Sequence, residues 1–229
     1  MTMHHVRDQR SVLAAVEKRT LLWIAGRLPG WVTSDQLTCL GLASMAAAGA
    51  AFAAMRITPA AALGVVVALA ANWFGDSLDG TLARVRNRQR PRYGFYVDHV
   101  IDVAGTAFLL GGMASSGHMT PIVGLSVLAA YLMVTAESYL ATHALGVFRM
   151  SFFGFGPTEL RLLLAVGALS VGRDPHIDGG PFATMRLFDV GGVIAIGALL
   201  GVFAFNAIRH ARLLYRAEPL PDLHEGKAA

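Results

Sequence analysis

Long apolar runs, separated by short polar connections, occupy most of the chain between residues 37 and 210. Each run is near the ~20 residues that an α-helix needs to cross the hydrocarbon core of a bilayer. The pattern therefore predicts an all-α integral membrane protein with six transmembrane helices. The predicted spans cover roughly residues 37–57, 59–82, 95–115, 120–146, 158–173 and 188–210.

A different pattern precedes the first span. Residues 10–28 place apolar side chains at helical spacing around a charged face, and the stretch ends at Pro29 and Gly30. This predicts an N-terminal amphipathic helix lying in the cytoplasmic interface of the membrane. An ordinary first helix packed on the bundle explains the same pattern equally well. We divide the chain into an N-terminal segment at 1–34, a six-helix transmembrane domain at 35–212 and a polar tail at 213–229.

Composition agrees with a membrane protein. The chain is 55% apolar and 15% charged, with a mean hydropathy of +0.53, whereas a soluble domain of 229 residues needs more polar surface. Cys39 is the single cysteine, so no intrachain disulfide can form.

Basic residues predict the orientation of the helices. With six spans, 16 of the 19 Lys and Arg residues lie on the side of the termini, which places that side in the cytoplasm. The net charge of +4 is then explained by topology, and the basic residues lack the aromatic platform expected of a nucleic-acid surface. We interpret Arg86, Arg88, Arg90 and Arg92 as orientation charges and contacts to anionic lipids.

Four aspartates stand out within or beside the second and third predicted spans. Asp76 and Asp79 are three positions apart, and Asp98 and Asp102 are four apart, so each pair shares a helix face. The short connection between the helices lets them pack antiparallel and brings the pairs together at the cytoplasmic end. Because buried carboxylates without compensation are costly, we expect one or two divalent ions, Mg²⁺ or Mn²⁺, between them.

Residues around these aspartates are suited to binding a phosphorylated ligand. Gly80, Ala83 and Gly94 lack bulk and leave space beside the metal ions, and Arg84 offers a forked donor for phosphate oxygens.

The spacing Asp76-x-x-Asp79-Gly80-x-x-Ala83-Arg84, followed by Gly94, Asp98 and Asp102, resembles the signature of the CDP-alcohol phosphotransferases. The resemblance covers most of the chain. It implies that the transmembrane domain is catalytic and moves a phosphatidyl or phospho-alcohol group from a CDP-linked donor to an alcohol hydroxyl in the membrane, releasing CMP. It further implies a homodimer.

The same resemblance assigns roles to individual residues. Asp76, Asp79 and Asp98 would be metal ligands, and Asp102 would be a ligand or the base that activates the acceptor hydroxyl. Gly80, Ala83, Arg84 and Gly94 would line the CDP site.

Four further residues are candidates for the acceptor site, each with a second explanation. His99 has a counterpart in members that transfer amino-alcohol phosphates, but it also suits an interfacial position. Glu159 could attract an ammonium group or support a metal ligand, or simply begin a helix. Arg149 and Arg161 could bind an acceptor phosphate or could be orientation charges.

The acceptor and donor stay open. One version uses CDP-diacylglycerol with a small alcohol such as inositol phosphate or glycerol phosphate, and the other uses CDP-choline or CDP-ethanolamine with diacylglycerol. Two other classes use membrane carboxylates. An intramembrane prenyltransferase needs more spans, and an ion-coupled transporter predicts acids at the midplane and repeated broken helices.

Overall fold

The computed structural model describes residues 14–145, 157–171 and 185–218. Its regular structure in these ranges consists of α-helices, which we number α1 to α7. They are α1 (Ala14–Ala25), α2 (Ser34–Ala54), α3 (Ala61–Val85), α4 (Pro91–Ser115), α5 (Pro121–Leu145), α6 (Pro157–Val171) and α7 (Leu187–Ala217).

Five of these helices, α2, α3, α4, α5 and α7, are long and apolar enough to cross a membrane. They correspond to five of the six predicted spans. The remaining predicted span, 158–173, coincides with α6, whose 15 described residues are too few to span a bilayer by themselves. The count of six therefore stays a prediction.

The first helix, α1, packs against the bundle. Leu21 and Ala25 of α1 are buried with Leu37, Leu78 and Leu82 of α2 and α3. This contact supports the second explanation of residues 10–28, a helix packed on the bundle, and its placement in a membrane interface stays a prediction.

Helix ends follow the local sequence. Thr33 caps α2 through a capping box with Gln36, in which each side chain bonds the other residue's backbone N–H. Pro91, Pro121 and Pro157 stand at the first positions of α4, α5 and α6, where the missing N–H of proline costs no helical hydrogen bond.

The connection from α3 to α4 turns on Asn87. The backbone N–H of Arg88 donates to the carbonyl of Ala83, and that of Asn87 donates to Arg84, which is the Schellman pattern. Asn87 has φ +51°, a left-handed conformation that asparagine tolerates better than most residues. The turn lets α4 begin at Pro91 and run in the direction opposite to α3, with both helices packed against α2.

Two of the basic residues in this connection bind protein groups. The Arg86 guanidinium donates to the carbonyls of Leu28, Pro29 and Val32, and so ties the end of α3 to the loop between α1 and α2. The Arg90 guanidinium donates to both carboxylate oxygens of Asp35 at 2.6 Å, and this interaction raises the pKa of Arg90. These residues therefore have structural contacts besides any effect on orientation.

In the C-terminal halves of α2 and α4, the backbones of the two helices are in direct contact. A Cβ atom added at Gly112 would lie 2.0 Å from the carbonyl oxygen of Gly49, and one added at Gly49 would lie 2.2 Å from that of Phe108. Close helix approach through small residues is the usual way in which membrane helices gain van der Waals contact. The apolar core continues from here through Phe52, whose ring meets Phe188 of α7 edge to face, with centroids 5.6 Å apart.

Polar side chains join α5 to α7 at both ends. Glu137 is buried, and its Oε1 lies 2.7 Å from Nδ1 of His210. At the other end, Asp189 accepts hydrogen bonds from the backbone N–H and hydroxyl of Thr120, both at 2.6 Å. The polarity of α5 thus includes interhelical hydrogen bonding, as expected where two helices meet in an apolar medium.

Candidate active site

Three of the four predicted aspartates converge between α3 and α4. One carboxylate oxygen from each of Asp76, Asp98 and Asp102 lies within 4.8 Å of the other two. α3 and α4 run in opposite directions and both pack against α2. Asp76 lies about as far from the end of α3 as Asp98 and Asp102 lie from the start of α4, so the three aspartates lie at one level. Asp76 and Asp98 are partly buried, whereas Asp102 is exposed.

The fourth aspartate, Asp79, lies beside this group, but its carboxylate faces α2. Thr38 donates its hydroxyl hydrogen to Oδ2 of Asp79 at 2.7 Å, and the backbone N–H of Gly80 donates to Oδ1. Ser34 binds the carbonyl of the same aspartate at 2.8 Å. One turn of α2 therefore holds both the backbone and the side chain of Asp79.

Arg161 of α6 reaches into the carboxylate group. Its Nη2 donates to Oδ2 of Asp76, and its Nε donates to Oδ1 of Asn72 at 2.7 Å. The Asn72 amide in turn donates to the carbonyl of Gly41 at 2.9 Å. Asn72 lies one turn before Asp76 on the same face of α3. The arginine thus has fixed protein partners, which a charge that merely set topology would not require.

The three converging carboxylates fit a divalent cation. Mg²⁺ and Mn²⁺ take hard oxygen ligands, and each carboxylate supplies at least one such atom. Like charges at this spacing repel one another, and an ion between them relieves the repulsion. Arg161 offsets part of the charge on Asp76. The arrangement could hold a metal ion through Asp76, Asp98 and Asp102, with Asp79 one helical turn away.

The small residues predicted to leave room for a ligand lie in different surroundings. A Cβ atom added at Gly80 would meet Nη1 of Arg84 at 3.4 Å, the mobile end of a side chain, and one added at Gly94 would meet nothing within 4 Å. Arg84 donates to the hydroxyl of Thr81 at 3.0 Å and is exposed, as is Gly94, while Ala83 is partly buried. The predicted CDP contacts thus lie along an accessible edge of α3 and α4.

His99 lies next to Asp98 and points toward α5. Its Nδ1 is 2.7 Å from the carbonyl oxygen of Phe95, so Nδ1 carries the hydrogen and donates it. In the neutral ring Nε2 is then the basic nitrogen. The imidazole contacts the Tyr139 ring edge to face at 5.5 Å, and its Nδ1 is 3.8 Å from Oδ2 of Asp98. His99 therefore lines the same site as the aspartates.

Of the other acceptor candidates, Glu159 and Arg161 lie on the first turns of α6, and Arg149 lies outside the described residues. Sequence reasoning missed Thr38 and Asn72 as partners of the charged groups. Asn72 could have been found, because it is four positions before Asp76 on the same helix face, whereas Thr38 meets Asp79 across 41 positions. It also missed Glu17, whose contacts no local spacing indicates.

The family of the chain follows from a comparison with known proteins. The family model of CDP-alcohol phosphatidyltransferase matches residues 31–208, a range that contains all four aspartates and most of the helical bundle. The chain belongs to this family of transferases, and the resemblance stated from the sequence is confirmed. A search of curated proteins returns no match. Membership favours the transferase over the prenyltransferase and the ion-coupled transporter.

Proposed function

We propose that this protein transfers the phosphatidyl group of CDP-diacylglycerol to the hydroxyl of a small alcohol in phospholipid synthesis and releases CMP. The observation that carries the proposal is the approach of Asp76, Asp98 and Asp102 within 4.8 Å in a chain of this family. A site that can gather divalent cations beside an accessible edge suits a pyrophosphate donor.

The chemistry forms one bond and breaks one. The acceptor oxygen attacks the phosphorus that carries the diacylglycerol, and the bond from that phosphorus to the bridging oxygen breaks, with its electron pair leaving on CMP. Bound Mg²⁺ or Mn²⁺ would neutralise the pyrophosphate and stabilise the departing phosphate. Asp76, Asp79 and Asp98 would hold the ions, with Thr38 fixing the Asp79 side chain.

Asp102 is our candidate for the base. It is the exposed member of the three converging aspartates, so an acceptor can approach it. Its carboxylate would take the proton of the acceptor hydroxyl as the new bond forms. Arg84, with Gly80, Ala83 and Gly94 around it, would bind the donor phosphates and cytidine.

Arg161 has two possible tasks. It would either orient Asp76 as a metal ligand or bind the phosphate of a phosphorylated acceptor. Its hydrogen bonds to Asp76 and Asn72 support the first task, since a side chain held by two partners is already positioned. Arg149, His99 and Glu159 stay candidates for acceptor contacts.

The membrane arrangement belongs to the same proposal. Both termini and the site would face the cytoplasm, a placement supported by the 16 of 19 basic residues on that side of a six-span topology. The enzyme would act as a homodimer in the cytoplasmic membrane.

The test is CMP release by the purified full-length protein with CDP-diacylglycerol and either Mg²⁺ or Mn²⁺. The acceptor panel contains serine, glycerol 3-phosphate, inositol, inositol 1-phosphate, ethanolamine and choline. We expect release that requires both the metal ion and one alcohol. Release only from CDP-choline or CDP-ethanolamine with diacylglycerol would establish the reverse assignment, and no release from any pair would overturn the proposal.

A further inference from the structure

Glu17 of α1 binds two other helices at once. Its Oε1 accepts hydrogen bonds from Trp73 Nε1 at 2.8 Å and from the Thr158 hydroxyl at 2.9 Å, and the Ser77 hydroxyl is 3.4 Å away. Trp73 and Ser77 belong to α3, and Thr158 belongs to the first turn of α6. One carboxylate oxygen therefore joins three helices.

The groups that Glu17 binds are the neighbours of the site residues. Ser77 directly follows Asp76, and Thr158 is three positions before Arg161, so it lies one turn away on the same side of α6. Arg161 itself pairs with Asp76. Two bridges thus join α3 to α6: Arg161 to Asp76, and Thr158 through Glu17 to Trp73 and Ser77.

The position of Glu17 on α1 is consistent with this role. It shares a face with Leu21 and Ala25, which are buried, and it is itself partly buried. Lys18 and Arg19, which follow it, are exposed. A glutamate on the protein-facing side of a helix is costly unless it is hydrogen-bonded, and here three donors meet it.

We propose that Glu17 is a positioning residue of the transferase: it holds the first turn of α6 against α3 and thereby keeps Arg161 at Asp76. The inference rests on the proposed function, since it assigns Glu17 a task in that reaction. Through Glu17, α1 would influence the reaction by way of Arg161.

The first arm of the test measures CMP release in a double-mutant cycle on the full-length protein, with CDP-diacylglycerol, Mn²⁺ and the acceptor that supports release. Glu17→Ala should lower kcat roughly 10-fold in the native background, the order expected when hydrogen bonds to a charged group are lost. The same change should have little further effect in Arg161→Ala, because Glu17 acts through Arg161. Equal losses in both backgrounds, or full activity of Glu17→Ala, would overturn the proposal.

Conservative variants separate positioning from general damage. Glu17→Gln keeps an acceptor oxygen and should recover part of the activity. Thr158→Val loses the hydroxyl and should lower kcat, while Thr158→Ser should retain it. Lys18→Ala is the matched control on the exposed side of the same helix and should match the native protein. If Glu17→Ala does not fold, Glu17→Gln and Thr158→Val replace it in the cycle. Each should lower kcat in the native background and have little further effect in Arg161→Ala, and equal losses in both backgrounds would overturn the proposal.

The second arm does not depend on turnover. Hydrogen exchange followed by mass spectrometry should show faster exchange in α1 and in the first turn of α6 for Glu17→Ala, and native rates for Lys18→Ala. Unchanged exchange in both segments would overturn the inference. If the native protein releases no CMP with any substrate, the proposed function fails, and this arm shows separately whether Glu17 holds α6.

Discussion

The two ends of the α2–α3–α4 bundle are held together by different forces. At the site end, directional side-chain bonds cross between helices: Thr38 to Asp79, and Arg161 to Asp76. At the other end, α2 and α4 meet through backbone atoms at Gly49 and Gly112, with no space for a Cβ atom.

The difference shows how one bundle can be rigid and still bind ligands. A hydrogen bond or ion pair can be exchanged for a bond to a metal ion or phosphate, so the site end can change partners. Contact between backbones depends on shape alone and loses its closeness when any atom is added. The glycine end therefore keeps the helices in register, while the polar end has side chains that can exchange partners.

Asp102→Asn should distinguish the two ends most clearly, because it should affect turnover and leave stability nearly unchanged. We expect CMP release to fall by about 10²–10⁴-fold, because a carboxamide cannot take the acceptor proton. Thermal stability should change little, since Asp102 is exposed. The measurement is CMP release beside a melting curve of the same preparation.

Asp35→Asn is the control for the loss of one carboxylate at the same end. Asp35 pairs with Arg90 in an exposed position and does not belong to the three converging aspartates, so its loss should leave turnover near native. Near-normal release by Asp102→Asn would mean that another group is the base.

Thr38→Val tests the outer contacts of the site. It removes the hydroxyl that holds Asp79 and nearly preserves the shape of the side chain. If Asp79 is a metal ligand, Mn²⁺ affinity should fall about 10–100-fold, the usual cost of losing a group that orients a ligand. Mn²⁺ titration followed by electron paramagnetic resonance measures it, with Thr38→Ser as the control; native affinity in Thr38→Val would argue against Asp79 as a ligand.

Gly112→Ala tests the glycine end. The new Cβ atom would lie 2.0 Å from the Gly49 carbonyl oxygen, so the helices must separate, at a cost of about 1–3 kcal/mol in the free energy of unfolding. The measurement is the change in melting temperature in a fixed detergent or lipid. Metal-dependent turnover per folded molecule should be affected far less than by Asp102→Asn.

Gly111→Ala is the matched control, since a Cβ atom at Gly111 meets nothing within 4 Å. It should melt near the native temperature. Equal destabilisation by both substitutions would show that helix propensity or lipid contact, and not the α2–α4 approach, accounts for the effect.

The smallest effect is expected in the turn between α3 and α4. Asn87→Ala should destabilise by about 1 kcal/mol or less, because alanine tolerates positive φ less well than asparagine, and Asn87→Gly should be neutral or better. Chemical or thermal unfolding of the pair measures the difference. A less stable glycine variant would show that the Asn87 side chain matters more than its backbone conformation.

Sequence reasoning predicted those parts of the molecule that depend on local spacing. Apolar runs located α2 to α5 within four residues and the start of α7 within one, although α7 continues to Ala217, seven residues past its predicted end. The intervals among Asp76, Asp98 and Asp102 indicated a shared site. The family resemblance rested on the same intervals and is confirmed.

The rest depends on how far each helix is rotated, which local spacing does not specify. Gly111 and Gly112 are identical in sequence terms, yet only Gly112 faces α2. Arg161 meets Asp76 across 85 positions, and Asp79 turns toward a hydroxyl 41 positions earlier. Such partners are chosen by packing among whole helices, so only the assembled structure reveals them.

The contacts of Glu17 also constrain the order in which the protein assembles during synthesis. Its partner Thr158 is 141 positions further along, so at ~5–20 residues per second the ribosome delivers it roughly 7–28 s after Glu17. Once Trp73 and Ser77 have been made, α1 can pack on α3, but its contact with α6 must wait for Thr158. α1 is therefore fastened in two stages, first to α3 and later to α6, and Thr158 is made only three residues before Arg161, the partner of Asp76.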